Sequence, residues 1–84
     1  MAPAPVALPE ETRREAQRSE QTLTRDERME LQRALQWFGF YDAAIDGDFG
    51  RGTRNSMAAW QTAAGVGDVT GILTTRQRSR LMEE

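Results

Sequence analysis

The sequence contains no cysteine, no histidine and no lysine. Without cysteine there is neither a disulfide nor a thiolate nucleophile. Without histidine there is no imidazole base, and the two absences together remove the usual zinc ligand sets. No metal and no cofactor is therefore expected. No apolar run approaches the length needed to cross a bilayer, so no membrane span is expected. Basic residues total 11 against 13 acidic ones, for a formal net charge of -2. That balance argues against an electrostatic nucleic-acid binder, even though every basic residue is an arginine. The three prolines all fall within the first nine residues, so nothing downstream is barred from forming helices by proline.

What is present suits one small domain. Of 84 residues, the Pro/Ala stretch at the start reads as an extended linker, which leaves a compact part of roughly sixty residues, a size at which cores are marginal. The opening Met1-Ala2-Pro3-Ala4-Pro5 has neither the basic start nor the apolar length of a signal peptide. It resembles a linker behind an added start codon, and the expectation is a piece of a longer exported protein. Residues 10–22 hold good helix formers and early acidic residues but almost no apolar face, which predicts a frayed or weakly docked helix. The division expected is a linker with that weak helix over 1–22 and a folded domain over 23–84.

Within that domain, Thr24-Arg25-Asp26-Glu27 has the spacing of a capping box. Leu31, Ala34, Leu35 and Phe38 then fall on one helical stripe, with Gly39 as the exit, so a helix is placed at 25–38. Residues 40–50 hold three aspartates and two glycines around Ile45 and Phe49, the composition of a structured loop pinned by apolar side chains. A second helix follows from Arg51 to Ala64, burying Met57 and Trp60. Val66 to Gly71 is turn-rich, with room for a short extended pair. A second box, Thr74-Thr75-Arg76-Gln77, opens a last helix carrying Leu81 and Met82. The fold class expected is all-α, a small three-helix orthogonal bundle with an extra N-terminal helix as an option. Leu31-Gln32 and Trp60-Gln61 echo each other without amounting to a tandem repeat.

The residues that could carry chemistry are few. Asp42, Asp46 and Asp48 depart from calcium-loop spacing and have no apolar pocket to raise a carboxyl pKa, so turn formation and capping are their first reading. Phe38 and Trp60 lie on core stripes. Trp37 lies beside one, and Tyr41 leads into the loop with a hydroxyl to offer, so these two are the aromatic candidates for stacking on a sugar. Gln32 and Gln61 could bond a glycan or peptide, or equally satisfy nearby loop backbone. Arg51 and Arg54 flank the glycine loop, where each could grip a carboxylate or form a surface pair with Asp46 or Asp48.

Taken in order, Leu31-Gln32-x-x-Leu35, Gly39-Phe40-Tyr41, Ile45-Asp46-Gly47-x-Phe49-Gly50-x-x-Thr53-Arg54, Met57-x-x-Trp60-Gln61, Gly65 and Thr70-Gly71-x-Leu73-Thr74 resemble the type 1 peptidoglycan-binding domain. Ala43-Ala44 departs from the proline-type turn of many members. The resemblance implies a three-helix fold and a tethering role in a periplasmic or cell-wall protein. The partners it implies are peptidoglycan, through glycan or stem peptide, and the domains of a parent protein. A monomer without catalytic machinery is expected, with Trp37, Tyr41, Asp46, Arg51, Arg54 and Gln61 as the candidate ligand-binding residues. Two rival readings stand beside it: a protein-interaction or regulatory module of the same fold, and a lytic enzyme using Asp46 and Asp48.

Overall fold

The computed structural model describes residues 11–83, and those residues form four α-helices in the order α1 (Arg13–Gln21), α2 (Arg25–Trp37), α3 (Arg51–Ala63) and α4 (Thr75–Glu83). Two of the starts are the boxes read from sequence. Thr24 accepts from the Glu27 N–H at 3.1 Å while the Glu27 carboxylate accepts from the Thr24 N–H at 2.8 Å. Thr74 and Gln77 make the same reciprocal pair at 3.1 and 3.2 Å. A third box, Thr12 with Glu15, opens α1. Each satisfies two donors that a helix start otherwise leaves to water.

The core is built from α2, α3 and the α4 region. Leu31 and Leu35 of α2, Met57 and Trp60 of α3, and Leu73 and Leu81 at and within α4 are buried together with Tyr41. A fully buried Leu or Met of this kind contributes about 1.5–3 kcal/mol over its exposed state. Ile45 and Phe49 pack against this cluster from the first loop, and Phe38 and Ala34 pack from α2. Helix α2 packs on both α3 and α4, and α1 packs on α4.

Helix α1 supplies a single buried apolar residue, Ala16. It is held chiefly by polar contacts. Glu20 pairs with Arg54 of α3, the Arg78 guanidinium donates to the Ser19 hydroxyl at 2.7 Å, and the Glu11 carboxylate accepts from the Thr75 N–H at 2.6 Å. Sequence missed these because every partner lies on a distant helix. The extended pair allowed for at Val66–Gly71 does not form; among the described residues there is no strand. Instead the Thr70 and Gly71 N–H groups donate to the Gln61 side chain and the Val66 N–H to the Gln61 backbone carbonyl.

Candidate functional site

The loops before α3 and before α4 are organised by one amide each. Gln32, in the middle of α2 and fully buried, accepts through Oε1 from the Asp46 and Gly47 N–H groups at 3.0 and 2.8 Å. Its Nε2 donates to the Asp48 carbonyl and the Thr53 hydroxyl at 3.0 and 3.2 Å. Gln61 of α3, also fully buried, accepts from the Thr70 and Gly71 N–H groups at 3.0 and 2.9 Å. Its Nε2 donates to the Ile72 carbonyl and to Gln77 Oε1 at 3.2 and 2.9 Å.

The correspondence extends to the turns. Asp46 accepts from the Asp48 N–H at 2.9 Å, as the Thr70 hydroxyl accepts from the Ile72 N–H at 3.1 Å. Gly47 and Gly71 have φ of 76° and 77°, a conformation that costs an L residue roughly 1–2 kcal/mol. The echo of Leu31-Gln32 in Trp60-Gln61 is thus an internal structural repeat, helix–loop–helix twice, with α3 shared. Asp46 corresponds to Thr70, Gly50 to Thr74, Arg51 to Thr75 and Thr53 to Gln77.

This arrangement sorts the six candidate residues. Gln61 has both ends of its amide satisfied internally and no exposed surface, so a ligand does not reach it. Tyr41 is buried, and its hydroxyl donates to the Ala44 carbonyl, closing the two-alanine turn. Asp46 is exposed at the loop surface. The Asp48 N–H first, and then the Gln32 amide, hold its carboxyl below the ordinary carboxylate range. Arg54 does not pair with Asp46 or Asp48, the bland alternative in sequence. It is held by Glu20, donates to the Gly71 carbonyl at 3.3 Å, and stands 5.6 Å from the centroid of the Phe49 ring. Trp37 ends α2 at 81% exposure. Arg51 is exposed, and among the described residues nothing pairs with its guanidinium.

Tyr41 and Asp46 line a common concavity of about 210 Å³ with Ala43, Ala44, Asp48, Gly50, Gly52 and Thr53. It opens at the start of α3. There Gly50 offers no side chain as a cap, and the first turn holds no acidic residue. The positive end of the α3 dipole therefore faces a hollow that the Asp46 and Asp48 carboxylates also line, and Arg51 opens the helix next to the lining residues Gly50 and Gly52. Trp37, Arg54 and Gln61 lie outside the lining.

At the corresponding place in the second repeat, a hollow of about 190 Å³ is lined by Gln61, Asp68, Thr70, Ile72, Thr74 and Gln77 and closed on one side by Glu11, just before α1, and by Arg13 and Ala16 of α1. There the start of α4 does have an anion: the Glu11 carboxylate on the Thr75 N–H. Sequence reasoning gave no role to Glu11, because its partner stands far along the chain. Arg78, buried beside Thr75, has its pKa lowered by burial, with Glu11, Glu20 and Glu27 opposing that shift. A concavity of about 520 Å³, lined by residues of α2 and α4 together with Ser19 and Thr22, shares no residue with the candidate set. Among the described residues no group of His, Cys, Asp or Glu is placed to hold a metal ion, and no helix is long and apolar enough to cross a membrane.

Comparison with known proteins agrees with the helical fold. A family model described as "Putative peptidoglycan binding domain" matches residues 24–81, from the capping threonine of α2 to the last core leucine. Neither a curated protein nor a solved structure matches the chain. The match spans both loops and all three helices that share the core, and leaves α1 outside. The chain belongs to the peptidoglycan-binding domain family.

Proposed function

We propose that this domain binds peptidoglycan non-covalently, without catalysis, through a carboxylate of the stem peptide seated at the start of α3. The observation that carries the reading is the uncapped first turn of α3, which begins at Arg51, exposed and unpaired among the described residues, and adjoins a hollow lined by Tyr41, Asp46 and Asp48. Free carboxylates are abundant on murein stem peptides, and a helix start with an adjacent guanidinium is a ready site for one. Asp46 and Tyr41 shape the hollow. Trp37, outside it, offers a solvent-exposed ring face to a sugar. One shallow site of this size binds weakly, so retention comes from many copies of the ligand on the wall and from linkage to parent-protein domains. Periplasmic or cell-wall localisation, through such a parent, follows from the same reading.

The test is retention on purified sacculi at low salt. The chain should sediment with them, and Arg51→Ala should weaken binding about fivefold, the scale of one exposed charge pair of about 1 kcal/mol. Amidating the stem-peptide carboxylates should weaken wild-type binding and abolish the difference between the two proteins. A chain that stays in the supernatant at low salt overturns the reading.

A further inference from the structure

We propose that α1 is a built-in ligand: its Glu11 carboxylate occupies a second carboxylate site, at the start of α4, and release of α1 opens that site to an external carboxylate. Three observations converge on it. A carboxylate is seated there, accepting from the Thr75 N–H at 2.6 Å. The position is the internal repeat's counterpart of Arg51: Thr75 is the first residue of α4 as Arg51 is of α3, and Glu11 itself lines the hollow before α4. Finally, a guanidinium stands beside the seat. Arg78 is 8% exposed and reaches the Thr75 hydroxyl at 3.1 Å and the Leu73 carbonyl at 2.7 Å.

The clasp is suited to exchange. Apart from Ala16, α1 buries no apolar side chain, and its contacts are a carboxylate on a helix start, the Glu20–Arg54 pair and the Arg78–Ser19 hydrogen bond. A segment with so little buried apolar surface opens locally at low cost while the core stays intact. Glu20 pairs with Arg54, so one movement frees the Thr75 N–H and removes one partner from each guanidinium, Arg78 keeping Leu73 and Thr75 and Arg54 keeping Gly71. The family match begins beyond α1, at residue 24, so the helices that make both carboxylate sites belong to the shared module and the plug does not. The proposal rests on the reading of the α3 site only for the natural ligand; the seating of Glu11 stands independently of it.

The experiment uses the whole chain, isotopically labelled for NMR, with N-acetyl-D-alanine as probe and its amide as the uncharged control. In the wild type the Thr75 and Arg76 amides should stay still on titration, because Glu11 holds the seat. In Glu11→Ala/Glu20→Ala, exchange of the α1 amides should accelerate about tenfold or more, the scale of losing charge-assisted contacts. The Thr75 and Arg76 amides should then titrate with the acid and not with the amide. Ala16→Arg provides a second route, removing the one apolar anchor while leaving both carboxylates in place, and should expose the same site. Unchanged α1 protection in both variants overturns the proposal, as does a released α1 with Thr75 and Arg76 silent. Movement at Thr75 without movement at Arg51 and Gly52 supports it and instead overturns the assignment of the α3 site.

Discussion

Gln32 and Gln61 lie under two loops that differ in length and charge. The first runs from Gly39 to Gly47 and displays Asp42 and Asp46, with Asp48 just beyond; the second runs from Gly65 to Gly71 and carries Asp68 alone. Under each, one buried amide receives two consecutive N–H groups and returns its own protons to a carbonyl and to a side chain of the following helix. The two residues of extra length go to Tyr41–Ala44, whose phenol closes its own turn. The backbone solution is thus fixed by the amide, and the loop above it is free to vary. The first start of helix is left uncapped, while the second is occupied by the chain's own Glu11. The halves differ in what covers the helix start, not in how the amide holds the loop.

The strongest way to break this comparison is to remove the amides. Gln61→Leu and Gln32→Leu each strand two backbone N–H groups, and each should cost about 2–4 kcal/mol, measured by urea unfolding. Gln61→Leu should be the worse, because the N–H it strands at Thr70 is half-buried, whereas its counterpart at Asp46 is at the surface, where water can replace the lost bond; Gly47 and Gly71 are both buried. If Gln32→Leu is nearly neutral while Gln61→Leu unfolds the chain, the halves are not equivalent.

A smaller effect is expected at the paired glycines. Alanine at either must adopt a positive φ, a cost of about 1–2 kcal/mol in thermal or urea unfolding. At Gly47 the new methyl would also come within 2.7 Å of Arg25 Cγ and 3.1 Å of its carbonyl oxygen, against 3.3 Å from the Arg54 carbonyl oxygen at Gly71. Gly47→Ala should therefore destabilise more than Gly71→Ala. Equal losses would show that φ alone decides.

The least effect is one of pH. Asp46 has a folded pKa below its unfolded one, so its contribution is complete above the ordinary carboxylate range and is lost as pH falls through the depressed value. Thr70, its counterpart, does not titrate. Amide exchange, corrected for its intrinsic pH dependence, should lose protection at residues 46–48 on acidification while residues 70–72 keep theirs. Asp46→Asn should remove the difference, and Thr70→Asp should move it to the second loop.

Much of the fold was legible because the signals that set it are local. The boxes at Thr24 and Thr74 lie within one turn of the helices they start, and the Leu31, Leu35, Phe38 stripe needs only helical spacing. The family resemblance too was carried by the order of short motifs. The candidate site was legible only in part. Asp46 and Tyr41 do line one hollow, but whether Gln61 pointed at a ligand or at the loop depended on Thr70, Gly71 and Gln77, whose backbone path spacing does not give. Arg54 was read against aspartates nearby in sequence, and the side chain that takes it, Glu20, comes from a helix whose polar composition gave no hint of where it docks.

Sharing α3 between the repeats has a consequence for cooperativity. The helix receives the Gln32 network at Thr53 and launches the Gln61 network two turns later. Neither half therefore owns a complete set of helices, and neither can melt while leaving the other whole. The Gly47 and Gly71 amides, on opposite sides of α3 in the chain, should become exchangeable through one common opening of the whole module, so that unfolding is all-or-none from Thr24 to Leu81.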